Sequence, residues 1–238
     1  MIQTIRDSPA AESGEATWEM SGEGGSSVTQ RLRGLTICVA FLATAAFAGE
    51  IDRAVVEREK AGIRGTTYIV DWHGTWDFDH IQPALDAAGD GDTVIVLPSD
   101  GAPGGAYQEN IQFPPRRITL RSINPEDPQI VADTVIVPAY SGSVLYFDNT
   151  PEGAVLDGFT IRNGSAGSGG GILCIGSSPA ILRCVVAYNS ATYGGAGISC
   201  QYGGTPLIWS CTLHNNSGGA LGCEGCSPIV VDCLLLDN

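Results

Sequence analysis

The residues of this 238-residue chain that could do chemistry fall into six sets. Cys223-Glu224-Gly225-Cys226 has the two-residue gap of a zinc ligand pair or a thiol–disulfide couple. No second such pair and no histidine at ligand spacing accompanies it, so neither chemistry is expected. Trp72, His73, Trp76 and Asp77 lie within six residues, dense enough for a binding site, but the packing of a nearby helix would also use these rings. His214 follows an apolar strand position and is expected to face solvent, where a lone imidazole is usually just solvated. Outward aromatics at Tyr188, Tyr193, Tyr202 and Trp209 can present ring faces to sugars. Of these, Tyr188, Tyr202 and Trp209 are taken as candidate ligand-binding residues. Arg183 and Asp232 share an outward column two repeats apart, about 10 Å, too far for a tight pair. Asp157, beside Gly158, is read as turn chemistry. No catalytic residue, metal ligand or cofactor site is assigned.

What positions these residues is a repeat. Four stretches, beginning at Ala154, Ser177, Gly204 and Cys226, align into columns. Leu156, Ile181, Ile208 and Val230 form one; Phe159, Cys184, Cys211 and Cys233 a second; Ile161, Val186, Leu213 and Leu235 a third. Steps of 25, 27 and 22 residues separate the second column. A period in this range, with short β-branched strands and Gly-rich breaks, is that of a solenoid. It is too Gly-rich for helix pairs. Parallel coils stack about 4.8 Å apart, so equivalent side chains pile into ladders and each column keeps one size and polarity. A further strand per coil adds Ile172, Ile198 and Leu221 beside Cys174, Cys200 and Cys223. The expected fold is an all-β, right-handed parallel β-helix. Asn163, Asn189, Asn215, Asn216 and Asn238 cluster at strand ends and are read as structural, since stacked amides bond from coil to coil.

Composition narrows the partners. The formal net charge is −14 and Lys60 is the only lysine, so no basic stripe exists to neutralise phosphates and nucleic acid is excluded. Charged residues make up only 16% and Gly reaches 32, which fits a turn-rich all-β chain.

Residues 1–30 are polar and read as a disordered extension, with Met20 an alternative start. Residues 31–48 read as a signal peptide: Arg31 and Arg33 precede an apolar run ending in Ala46-Phe47-Ala48, with cleavage expected between Ala48 and Gly49. An uncleaved anchor is the alternative. Apart from this segment no integral membrane span is expected, and the protein is expected to be secreted or at the cell surface. Cys38 leaves with the leader. Seven cysteines remain, an odd number; stacked core thiols are favoured over disulfides, which the stacking distance also permits.

Residues 49–65 read as a linker. The β-helix is expected over residues 66–238 and to stop in mid-coil, as if truncated. Residues 66–71 alternate as a strand. Residues 78–88 have helical spacing, with Asp77 or Asp79 to cap the start, and are expected to cover the first coil. Strands are expected at residues 93–97, 118–120, 130–131, 134–137 and 144–147.

Val70-Asp71, Asp77-Phe78, Ile81-Gln82, Ala84-Leu85-Asp86-Ala87-Ala88, Gly91-Asp92-Thr93-Val94 and Gly105-Ala106-Tyr107-Gln108-Glu109-Asn110 resemble the N-terminal cap of the pectin-lyase-like superfamily. The Gly-x-Tyr-x-Glu-Asn element is similar to that of pectin methylesterases. The resemblance implies the fold over residues 66–238. It does not carry an activity, because the catalytic Asp motifs, the Gly-His-Gly and the acidic calcium cluster of the superfamily's enzymes do not appear. Gly218-Gly219-Ala220-Leu221 also resembles the repeat of polymorphic outer-membrane adhesins. The expected function is an exported, non-catalytic solenoid that binds polysaccharide or cell-surface glycan, or is structural. The alternative is a polysaccharide lyase or hydrolase whose catalytic residues lie beyond residue 238.

Overall fold

The computed structural model describes residues 53–61 and 63–238. The signal peptide expected at residues 31–48, the cleavage expected between Ala48 and Gly49, and Cys38 all lie outside these residues. Parallel strands stack into a β-solenoid of about seven turns. The long face has seven strands, Thr67–Val70, Thr93–Val96, Thr119–Ser122, Val155–Asp157, Ala180–Leu182, Leu207–Trp209 and Ile229–Val231. A second face has six, Tyr107–Gln108, Val135–Val137, Thr160–Arg162, Val185–Ala187, Thr212–His214 and Leu234–Leu236. A third has five, Ile111–Phe113, Leu145–Asp148, Ile172–Ile175, Ile198–Gln201 and Leu221–Glu224. Between the second and third faces a short arm pairs Ser165–Ala166 with Ser190–Ala191.

The expected ladders are in register. Leu156, Ile181, Ile208 and Val230 pair in sequence, as do Ile161, Val186, Leu213 and Leu235. Cys174, Cys200 and Cys223 continue a column that begins with the stacked rings of Phe113 and Phe147, 4.8 Å apart. All members before the last coil are buried. In the last coil Val230 and Leu235 are 43% and 49% exposed and Cys223 is exposed, because no described strand lies on it.

Corners explain how such short strands join. Asn163, Tyr188, Asn215 and Asp237 stack at one corner with φ of 67°, 55°, 53° and 47°. Gly158, Arg183, Ser210 and Asp232 do so at another, and Asn149, Gly176, Tyr202 and Gly225 at a third. A single left-handed residue turns the chain sharply, at a cost of order 1 kcal/mol for each side chain other than Gly. The ladder survives the turn. The N–H groups of Arg183, Tyr188 and Tyr202 still bond the next coil, at Trp209 O, His214 O and Glu224 O. Where the chain runs closest to itself, only Gly fits: a Cβ on Gly164 would lie 1.8 Å from Gly170 O.

Three helices depart from or refine the expectations. Within the stretch read as linker, α1 (Arg53–Lys60) lies on the outside of the long face, where Val56 is fully buried against Ile69, Ile95, Leu97 and Ile123. α2 (Ile81–Ala87) covers the first coils, with Ile81, Ala84 and Leu85 buried in the main core. α3 (Pro128–Asp133) replaces the strand expected at residues 130–131. Pro128 at its start and Asp127, whose carboxylate accepts from Gln129 N, favour a helix over the β-branched preference of Ile130-Val131.

Candidate functional site: a polar groove beside the third face

The Gly105–Asn110 stretch supplies three positioning groups. Tyr107 is buried and donates to Leu97 O at 3.0 Å. Burial pushes its hydroxyl pKa well above the ordinary value. Glu109, 8% exposed, accepts from Ile81 N at 2.8 Å and Gln82 N at 2.9 Å, so it caps α2 from another coil. This corrects the expected cap: Asp77 instead accepts from Ile69 N, and Asp79 faces His80. Burial holds the Glu109 carboxyl above its ordinary pKa even though both amides favour its charge. Asn110 pins a loop: its Nδ2 donates to Tyr140 O and Ser143 O, and its Oδ1 accepts from Ala139 N and Tyr140 N.

That pinned loop is one wall of a groove of about 740 Å³. Ser141, Gly142 and Ser143 form the wall, tied to the arm by a Gly142–Ser165 bridge and by Ser141 Oγ donating to Ser165 O. Ser165, Ser168, Thr192 and Tyr193 form the opposite side, and Leu173 and Gln201 the floor. Tyr193, 72% exposed, is anchored through its N–H to Gly167 O at 2.7 Å. Among the described residues, the hydroxyls of Ser143, Ser165, Ser168 and Thr192 make no hydrogen bond, and no lining residue is charged. Little in the residue pattern points to this set, because serines between glycines read simply as turn formers.

The arm is held by a buried amide ladder. Asn189 Oδ1 accepts from Gly164 N at 2.8 Å, and its Nδ2 donates to Ile161 O and to Asn216 Oδ1. Asn216 repeats the pattern on Val186 O and Asn238 Oδ1. Asn189, Asn216 and Asn238 are thus structural, as expected, while Asn163 and Asn215 are corner residues.

The candidate aromatics do not converge. Tyr188 and Tyr202 are exposed at different corners, and Tyr188 packs edge-on to His214 at 5.4 Å. Trp209 sits on the long face, 36% exposed. It belongs to a unit that replaces the turn role expected for Asp157. Asp157, 5% exposed, accepts from Arg183 Nε at 2.9 Å and is ion-paired with Arg183 Nη2. The Arg183 guanidinium also lies 5.6 Å from the Trp209 ring centroid. Burial raises the Asp157 pKa, against the pull of Arg183. Arg183 thus pairs one coil back.

The seven described cysteines are free thiols. Cys184 N donates to Cys211 Sγ at 3.4 Å, and Cys211 N to Cys233 Sγ at 3.4 Å. The hydrogen bond with Cys184, then burial, pushes the Cys211 thiol far up. Cys223 is pushed up to about 11, mainly by burial. Cys226 donates its S–H to Cys200 O at 3.1 Å, as a turn residue. Among the described residues no group of three His, Cys, Asp or Glu could hold a metal ion. The Trp72 cluster builds the cap: Trp72 packs on His80 and Tyr107, Trp76 lies under Arg53, and Asp71 accepts from His73 N and from Thr75 N and Oγ1. Those bonds hold the Asp71 carboxyl below its ordinary pKa although burial, the largest single effect, pushes it up. No described helix is long and apolar enough to cross a membrane.

No protein-family model, no curated protein and no solved structure matches this chain.

Proposed function

We propose that this chain is a glycan-binding β-helical solenoid that works without catalysis. The observation that carries the reading is the groove, where four unengaged hydroxyls, an amide and an exposed tyrosine ring line one open channel. Hydroxyl groups both donate and accept, which suits the hydroxyls of a sugar, and a ring face suits its C–H surface. The volume lies in the range of small-molecule sites. Acid–base catalysis needs at least two convergent titratable groups, and the groove lining supplies one, the Tyr193 phenol. The basic-apolar-small leader supports export, and the α2 cap with its Glu109 clasp supports kinship with the pectin-lyase-like superfamily. A glycan array with the purified chain tests the reading, with Trp209→Ala as an off-groove comparison. Binding to at least one glycan is expected. Array-wide silence refutes it, and depolymerisation of polygalacturonate above background, with or without calcium, refutes its non-catalytic part.

A further inference from the structure

We infer that the groove selects uncharged sugars and rejects uronates; this rests on the glycan-binding reading above. Three observations point the same way. First, the eleven lining residues include neither cation nor anion. A carboxylate in the groove would find hydroxyls and one amide, with no guanidinium or ammonium to supply a charge-assisted pair. Second, Gln201 on the groove floor belongs to an outward column with Asp148, Ile175 and Glu224. Coils stack about 4.8 Å apart, so a ligand chain running along the axis past Gln201 meets the Glu224 carboxylate one coil on and Asp148 two coils back. The neighbouring column, Gln112, Tyr146, Leu173, Ser199 and Gly222, adds no positive charge. Third, residues 49–238 carry 9 Lys/Arg against 21 Asp/Glu, a formal −12, so the long-range field also repels polyanions.

What remains fits a neutral pyranose. Leu173 offers an apolar floor and Tyr193 a ring on the arm side. Ser143, Ser165, Ser168 and Thr192 offer hydroxyls on both walls. Gln201 offers an amide that spends one N–H on Ser199 Oγ at 3.3 Å and keeps its carbonyl and other N–H for ligand. Neutral hydrogen bonds and stacking predict affinity that barely changes with salt, unlike an ion-paired complex.

Titration calorimetry on the chain can decide, using neutral oligosaccharides (gluco-, xylo-, manno- and galacto-series) against oligogalacturonates with and without calcium. The expected result is binding of at least one neutral series, unchanged between low and high salt and weakened about three- to tenfold by Tyr193→Ala. Gln201→Arg, which places a cation on the floor, is expected to create measurable oligogalacturonate binding. Both sites are on the surface, and an unchanged melting temperature certifies the fold. Salt-sensitive oligogalacturonate binding by the unmodified chain overturns selectivity for neutral sugars and leaves glycan binding standing. Neutral binding indifferent to Tyr193→Ala removes it from this groove. Absence of binding to every series overturns both readings.

Discussion

Asn189→Ala is expected to cost about 3 kcal/mol, and Asn189→Asp more. The side chain is 1% exposed and makes three hydrogen bonds, to Gly164 N, Ile161 O and Asn216 Oδ1. Alanine leaves the buried Gly164 N–H and part of the Asn216 acceptor unpaired, and each such group costs about 1 kcal/mol or more. The close approach of Gly164 to Gly170, where an added Cβ would lie 1.8 Å from Gly170 O, limits how far this stretch of backbone can shift to find another partner. Aspartate is worse at neutral pH. It keeps the acceptor for Gly164 but turns the donating face into a second acceptor, aimed at Ile161 O and Asn216 Oδ1, and buries a charge. Urea unfolding measures this: with a slope of about 2 kcal/mol per molar, the alanine midpoint should fall by about 1.5 M. Protonation gives the aspartate one donor back, so its deficit should shrink on acidification. Midpoints for both variants close to the parent's, or aspartate milder than alanine at pH 7, would refute the account of the ladder as a load shared by buried amides.

Four other outcomes are expected. Arg183→Met should destabilise by about 2 kcal/mol, more than Asp157→Asn, because it strands a buried carboxylate while the converse frees a side chain that can reach water; thermal melts giving the opposite order would count against the pair. Cys211→Asp should be severely destabilising and Cys211→Val mild, since the site is buried among thiols and apolar groups; equal melting temperatures would place the column outside the core. Glu109→Gln should destabilise less at pH 7 than near pH 4. A carboxyl raised by burial in the fold binds more protons there than in the unfolded chain, so its contribution is full below the unfolded pKa and is lost as pH rises through the folded one; a parent-minus-variant difference flat across that window would show that Glu109 is not desolvated. If residues 31–48 act as the proposed signal peptide, the mature protein should begin at Gly49, and N-terminal mass analysis that finds residues 1–48 retained would count against that proposal.

The ladders were legible because a repeated period states which residues must stack, and burial then forces similar side chains into each column. Leu156 to Val230 needed nothing else. The α2 cap by Glu109 was not legible, since its partner lies 28 residues away and local rules point to Asp77 or Asp79. α3 was missed because Ile130-Val131 carries strand propensity, which Asp127 and Pro128 override locally. The Asp157–Arg183 pair left a usable trace: the two residues are 26 apart, about one coil. Reading across coils, as the columns invite, would have found it. The groove left almost none, because its hydroxyls come from three separated turns that only the bend at 141–143 and the arm bring together.

The in-register ladders make some coils interchangeable and others not. Excising residues 207–228 would let Ile181 meet Val230, Cys184 meet Cys233 and Asn189 meet Asn238, each the type already stacked there. Excising residues 180–206 would align the same ladders but bring Ser210 to the corner that Arg183 vacates, leaving the Asp157 carboxylate buried without its guanidinium. The same cut would remove Thr192, Tyr193 and Gln201 from the groove. The solenoid can therefore be shortened like a tape at its later coils, while the coil carrying Arg183 is a fixed graduation on it.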